Sequence, residues 1–172
     1  MTSMAPVVIA VEGASDRVVL ELLARRRGRD LVAEGIRVAP IGGAHAIARF
    51  VTELPPRTVV RGLCDANEAY LFRRVLDDVF ICTPDLEGEL MRALGVGAIQ
   101  EIVDRAGDAP SFRKFQQQPA QRGRPLEAQL NRWWRSSWRR YKSYLPLFVE
   151  SLDLDRVPQP LDEVLESVGS PT

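Results

Sequence analysis

The sequence predicts an α/β fold: a parallel, mostly doubly wound sheet with helices on both faces and a helical C-terminal extension. Three observations predict it. Val7-Val8-Ile9-Ala10 is an apolar, mostly β-branched run that leads through Val11, Glu12 and Gly13 into an amphipathic stretch. That is the pattern of a buried parallel strand feeding a helix. Short runs of the same kind then alternate with helix-period runs as far as Gly95, and from Val96 onward strand signals vanish. With 172 residues, 45% hydrophobic and 27% charged, the chain is long enough for one soluble domain with a real core.

The elements follow in order. Ser15 is a good N-cap for a first helix over 15–27, with Val18, Val19, Leu22 and Leu23 on its apolar face and a stop near Gly28. A second strand over 36–39 ends at Pro40. Gly42-Gly43 makes a turn into a helix over 44–54, with Ile47, Phe50, Val51 and Leu54 apolar and Pro55-Pro56 ending it. The third strand, 58–64, closes on Asp65. A helix over 69–76 has Leu71, Phe72, Val75 and Leu76 apolar, and the fourth strand is Val79-Phe80-Ile81-Cys82. Thr83-Pro84-Asp85 opens a helix through Leu86, Leu90 and Leu94 that Gly95 ends; 98–106 is helical again. After the loop 107–110, Ser111 caps the next helix. Segment 116–125 is polar and broken by proline and glycine. Helices over 126–138 and 141–152 follow, then a tail with Pro158 and Pro160. Leu161, Val164, Leu165 and Val168 mark a last short helix. No repeat or linker divides the chain, so 1–172 reads as one domain: an α/β core over about 5–106 and a basic helical extension and tail over 107–172.

Charge and cysteine usage narrow the function. Formal net charge is zero, but between Arg105 and Lys142 only Asp108 and Glu127 are acidic. Arg113, Lys114, Arg122, Arg124, Arg132, Arg135, Arg139 and Arg140 crowd that interval. Beyond Lys142 the balance reverses. A basic third beside acidic strand ends suits a polyanion whose reacting group meets a metal. The bland alternative is a solvated helical face. Two cysteines, Cys64 and Cys82, and one histidine cannot build a zinc site, and buried free thiols are expected. No signal peptide or membrane-spanning run is legible, and a reducing cytoplasm is the expected compartment.

The chemistry points to the strand ends. Glu12 follows the first strand, Asp65 the third, and Asp85 and Glu87 the fourth, with Asp16 in the first helical turn. On a parallel sheet these ends share one edge, where open α/β sheets bind ligands. Clustered carboxylates repel one another unless a cation is present. Oxygen ligands without thiolate or imidazole select Mg²⁺ or Mn²⁺. Two such ions about 3.5–4 Å apart can hold the attacking and leaving oxygens of a phosphodiester. The bland alternatives are that Asp16 only complements the helix dipole and that Glu12 is solvated. His45 stands at a strand-to-helix turn, where a structural role outweighs substrate contact. Trp133, Trp134 and Trp138, set among arginines, suit base stacking, core packing or a dimer interface.

These residues carry a resemblance. Glu12 in VEGASD, followed by Asp65 in LCDAN, resembles the glutamate and D-x-D of the Toprim domain. Type IA and type II topoisomerases, bacterial primases and nucleases of the OLD (overcoming lysogenization defect) family share that domain. The similarity is to the OLD family in particular. Its Toprim domains pair the first glutamate with an acid four residues on, here Asp16, and carry a later D-x-E, here Asp85-Leu86-Glu87. Lys142 matches that family's lysine in a C-terminal helix. The resemblance spans roughly residues 5–152. It implies a Toprim-like four-stranded parallel sheet and two-metal cleavage or nicking of DNA. The ligands implied are Glu12, Asp16, Asp65, Asp85 and Glu87. Glu12 also bears on catalysis, and Lys142 stabilises charge on the phosphate or leaving oxygen. RNA offers the same phosphodiester chemistry.

Two departures matter. Asn67 replaces the second acid of D-x-D, with Glu68 beside it, so both are further metal or substrate candidates. No G-x-x-x-x-G-K-[ST] accompanies the domain, which implies a free-standing unit or a separate ATPase subunit. A homodimer is a further expected partnership. No second domain presents a topoisomerase tyrosine, and two cysteines cannot make a primase zinc module. The competing reading is a non-catalytic module that binds nucleic acid or a partner, its metal site weakened by Asn67. A receiver-like phosphoacceptor would also put Asp65 after a third strand, but it uses paired acids after the first strand, which VEGASD lacks.

Overall fold

The structure, a computed structural model, describes residues 5–169. Four parallel strands form one sheet in the order β2-β1-β3-β4. They are β1 (Val7–Val11), β2 (Ile36–Pro40), β3 (Val59–Asp65) and β4 (Val79–Cys82). The helices are α1 (Ala14–Arg26), α2 (Ile47–Thr52), α3 (Ala69–Arg73), α4 (Leu86–Arg105), α5 (Ala109–Gln116), α6 (Leu126–Arg135), α7 (Trp138–Ser151) and α8 (Gln159–Ser167). The predicted four-stranded α/β architecture is therefore what the chain adopts.

Strand alternation divides the core in two. Ile9, Val11, Leu63 and Cys82 face a large cluster with Leu20 and Leu23 of α1, Leu90 of α4, Phe148 of α7 and Leu161 of α8. Ala10 and Cys64 face the opposite side, where Ala44, Ile47, Phe72 and Leu76 cover the sheet. Gly62 is on this second face: a Cβ there would lie 2.7 Å from a Phe72 ring carbon, so any side chain at 62 would collide with that ring. The register Val7↔Val59 to Val11↔Leu63, and Gly62↔Val79 to Asp65↔Cys82, brings the ends of β1, β3 and β4 to one edge.

The C-terminal helices build this core. Arg26 donates to the carbonyls of Val149 (2.7 Å) and Leu152 (2.8 Å) at the end of α7, and Arg29 donates to that of Leu165 (2.7 Å). The last carbonyls of a helix lack intrahelical partners, and these guanidinium groups supply them. Trp133 and Trp134, both 1% exposed, anchor α6 against α7, with Trp134 stacked on Tyr141 and tilted onto Phe148.

Several local expectations are corrected. Gly13, not Ser15, is the N-cap of α1. The buried face of α1 is Val19, Leu20, Leu23 and Ala24, whereas Val18 is exposed. The helix expected over 44–54 is a 3-10 turn, Ala44–Ala46, followed by the short α2, and the one over 69–76 likewise begins as a 3-10 turn, Ala66–Glu68. Of the apolar residues in that segment, Phe72 and Leu76 are buried and Val75 is exposed. Gly95 breaks the helical conformation (φ 78°, ψ 158°), but the two helical stretches abut within α4. Ser111 lies inside α5, whose N-cap is Asp108. The break between α6 and α7 falls at Ser136–Ser137. Trp138 therefore opens α7, where the Ser137 hydroxyl caps the Arg140 N–H. Among the described residues, no helix is long and apolar enough to cross a membrane.

Candidate metal centre

The carboxyl edge of the sheet gathers Glu12, Asp65 and Glu68. One carboxylate oxygen from each lies within 4.8 Å of the others. Register and backbone hydrogen bonds create this grouping. The Asp65 N–H donates to Glu12 Oε1 at 2.8 Å, which fixes the glutamate across the β1–β3 boundary. The Leu86 N–H, at the start of α4, donates to Asp65 Oδ1 at 3.1 Å. Ala66 N donates to the Pro84 carbonyl (3.1 Å), and the 3-10 turn that follows brings Glu68 back over the strand end. Among the described residues no Lys or Arg pairs with these three acids.

Electrostatics mark the same edge. Burial pushes the Asp65 carboxyl up to about 7, with Glu12 adding to the shift and the Leu86 N–H opposing it. Burial likewise pushes Asp16 up to about 6, against the pull of the Gly13 N–H, with Glu12 adding to the rise. Burial raises Glu12 too, against the Asp65 N–H, and Glu68 and Glu87 add to the rise. Half-buried carboxylates that repel one another and retain unpartnered oxygens are a donor set that fits a hard divalent cation.

The other expected ligands are disposed differently. Asp16 lies outside the three-acid group and accepts from the Gly13 N–H at 2.8 Å. Asp85 caps α4: its Oδ1 accepts from Gly88 N at 2.8 Å, and its Oδ2 accepts from Arg135 at 3.0 Å. Glu87, buried at 9% exposure, accepts from the Tyr141 hydroxyl at 2.6 Å and lies 3.7 Å from Arg135. Burial works against the Arg135 charge, but Glu87 and Asp85 outweigh it and hold the guanidinium above its ordinary pKa. So Asp85 and Glu87, expected to join Glu12 and Asp65 as ligands, are engaged by the chain's own cation. Asn67 is exposed beside Glu68.

The basic segment also divides. Arg113, Lys114, Arg122, Arg132 and Arg139 are exposed, and their side chains make no hydrogen bond or ion pair among the described residues. Arg140 lies 4.1 Å from the Trp133 ring centre and donates to the Trp133 carbonyl at 2.7 Å. Arg124 donates to the Ala120 carbonyl at 2.8 Å. Lys142 holds its ammonium 4.8 Å from the ring centre of Trp138, which is 64% exposed. Of the three tryptophans, only Trp138 is exposed, and its ring already stacks on Tyr141. His45 is exposed and accepts or donates no hydrogen bond among the described residues, which corrects its expected structural role. Cys64 and Cys82 are buried free thiols, as expected. Sequence reasoning missed Tyr141 as the partner of Glu87. No local signal marks a pairing across 54 residues.

Comparison with known proteins agrees with this geometry. Residues 4–55 match the family described as "Overcoming lysogenization defect protein-like, TOPRIM domain". That stretch carries Glu12 and Asp16. The C-terminal region of the Burkholderia pseudomallei OLD protein has the same fold, with a TM-score of 0.64 at 16% identity, covering 96% of this chain and 98% of that one. The C-terminal region of the Xanthomonas campestris pv. campestris OLD protein gives a TM-score of 0.64 at 20% identity, covering 96% and 95%. No curated protein sequence matches the chain. The OLD-like Toprim resemblance read from the sequence is thus borne out.

Proposed function

We propose that the protein cleaves or nicks DNA phosphodiester bonds in a divalent-metal-dependent reaction. The observation that carries this reading is the convergence of Glu12, Asp65 and Glu68 at one strand-end edge, with no basic partner among the described residues. These three would hold Mg²⁺ or Mn²⁺. When bound, the ion would supply Lewis-acid activation of a water and neutralisation of phosphate charge.

The chain's own residues supply the rest. The Asp65 and Leu86 N–H groups orient the Glu12 and Asp65 carboxylates before substrate arrives. That fixed geometry spares reorganisation during the reaction. Arg113, Lys114, Arg122, Arg132 and Arg139 hold the DNA backbone electrostatically, with little sequence preference. Lys142, the candidate for stabilising charge on the leaving oxygen, sits on α7 next to Tyr141, whose hydroxyl reaches Glu87. Asp16, Asn67, Asp85 and Glu87 border the same edge and are candidates for a second cation. An ATPase supplied by another chain, and a second copy of this one, are the partners the family resemblance brings into consideration.

The test is nicking of supercoiled plasmid by the purified protein, with and without Mn²⁺ or Mg²⁺. Metal-dependent conversion to open circle is expected. The exposed Asn67, uncharged where the Toprim pattern has an acid, favours one rival: a non-catalytic nucleic-acid-binding module. Normal DNA binding without nicking under either metal would establish that rival instead.

A further inference from the structure

The two acidic groups on the carboxyl edge differ in one respect. Glu12, Asp65 and Glu68 keep oxygens free of protein partners, whereas every carboxylate oxygen of Asp85 and Glu87 is engaged. Asp85 Oδ1 takes the Gly88 N–H and Oδ2 takes Arg135 Nη1 at 3.0 Å. Glu87 Oε1 takes the Tyr141 hydroxyl, and Oε2 lies 3.7 Å from Arg135 Nη2. One guanidinium therefore spans two carboxylates of the D-x-E segment. Arg135 is the last residue of α6, directly before the Ser136–Ser137 break, and its side chain is 38% exposed. It reaches the acids from the basic extension, fifty residues away in sequence.

We propose that Arg135 is an internal cation that keeps the Asp85–Glu87 pair closed, so that a divalent ion gains these carboxylates only by displacing it. This rests on the metal-dependent reading above and adds to it an order of loading. The Glu12–Asp65–Glu68 group is open to a cation at rest, and the Asp85–Glu87 pair is occupied by the protein's own charge. A guanidinium is well suited to such a role, because its fork spans two acids and it never deprotonates. Its partial exposure leaves it a path outward.

The measurement is Mn²⁺ titration by calorimetry on the full chain, without DNA, for wild type, Arg135→Gln and Arg135→Lys. In wild type, a first binding step should be followed by a weaker one. Arg135→Gln should tighten the weaker step by about tenfold or more, the scale on which a unit charge a few ångströms away acts in a partly wet site. Arg135→Lys keeps the charge and should stay close to wild type. Loss of a merely structural contact would not tighten metal binding. Unchanged or weaker binding in Arg135→Gln overturns the proposal, as does Arg135→Lys behaving like Arg135→Gln. If wild type takes up no Mn²⁺, this inference and the metal-dependent reading fall together. If wild type nicks plasmid with Mn²⁺ while Arg135→Gln leaves both steps unchanged, only this inference falls.

Discussion

The backbone N–H of Asp65 donates to the Glu12 carboxylate at 2.8 Å, joining the ends of the two central strands through a side chain rather than through the ladder. Glu12 is thereby held in one orientation with a second oxygen left over. Asp65, in turn, is held by the Leu86 N–H. Three elements, β1, β3 and α4, thus set the positions of two carboxylates before any ion or substrate is present.

That relationship makes Glu12→Gln an informative change. Glutamine keeps the carbonyl oxygen that accepts the Asp65 N–H and removes only the charge. If the carboxylate charge serves the reaction, nicking should slow by about 10²–10³, the cost of losing one preorganised electrostatic contribution. DNA affinity rests on distant arginines and should hold. Plasmid nicking and filter binding on the same preparation test this. Equal nicking by wild type and variant would remove Glu12 from the chemistry.

The raised carboxyls predict an unusual pH dependence. Burial pushes Asp65 up to about 7 and Asp16 up to about 6 in the folded chain, against about 3.9 for an unfolded aspartate. Between these limits the native state binds more protons than the unfolded state, so stability falls as pH rises. Without divalent metal, the melting temperature should decline from about pH 4 to about pH 7, given those reference values. Asp65→Asn should flatten the upper part of the decline. Saturating Mn²⁺, which favours the ionised carboxylates, should do likewise in wild type. A wild-type profile that rises with pH across this window would contradict the assignment.

The parts legible in the sequence are those governed by neighbours along the chain. Val7 to Val11 could be only a buried strand, so Glu12 had to sit at its end. Thr83-Pro84-Asp85 marks the start of α4 within a few residues. Cys64 and Cys82 end strands, and both are buried. Illegible were contacts whose partners lie far apart in sequence. Nothing near Asp85 or Glu87 announces that Arg135 and Tyr141 will reach them. Nothing near Arg140 says that it will lie on Trp133 rather than face solvent. At the start of α1, Ser15 has the better intrinsic preference for the N-cap. Gly13 wins because the Asp16 carboxylate returns to its N–H and the strand must turn there. Trp138 reads as the end of α6 because helical periodicity continues across Ser136–Ser137, yet it begins α7.

Packing on the second face of the sheet gives a prediction independent of the site. A methyl group at Gly62 would lie 2.7 Å from Phe72 and 2.9 Å from Leu76, both buried. Neither side chain can retreat without leaving the sheet. Gly62→Ala should destabilise by about 1–3 kcal/mol, the range for overpacking a core. Urea unfolding would measure it. A smaller substitution at the facing position, Phe72→Leu, should recover part of the loss in the double variant. If Gly62→Ala proves neutral, Phe72 is not seated as described.

The last prediction separates arginines that meet DNA from arginines that hold the fold. Arg113, Lys114, Arg122, Arg132 and Arg139 have no partner among the described residues, so their charge is available to phosphates. Arg140 is already engaged by the Trp133 ring, the Trp133 carbonyl and the hydroxyls of Ser111 and Ser136. Affinity for duplex DNA should fall with salt, and each phosphate contact removed should lower the slope of log affinity against log salt by about 0.9. Arg132→Ala with Arg139→Ala should therefore weaken binding and flatten the slope while leaving the melting temperature in place. Arg140→Ala should do the reverse. Losing a cation–π contact and its hydrogen bonds costs stability on the order of 1–2 kcal/mol, with little change in slope. Fluorescence anisotropy across a salt series, paired with thermal melts, reads both quantities. If Arg140→Ala flattens the slope and the double variant does not, phosphate binding belongs to the Trp133 face rather than to the open arginines of the extension.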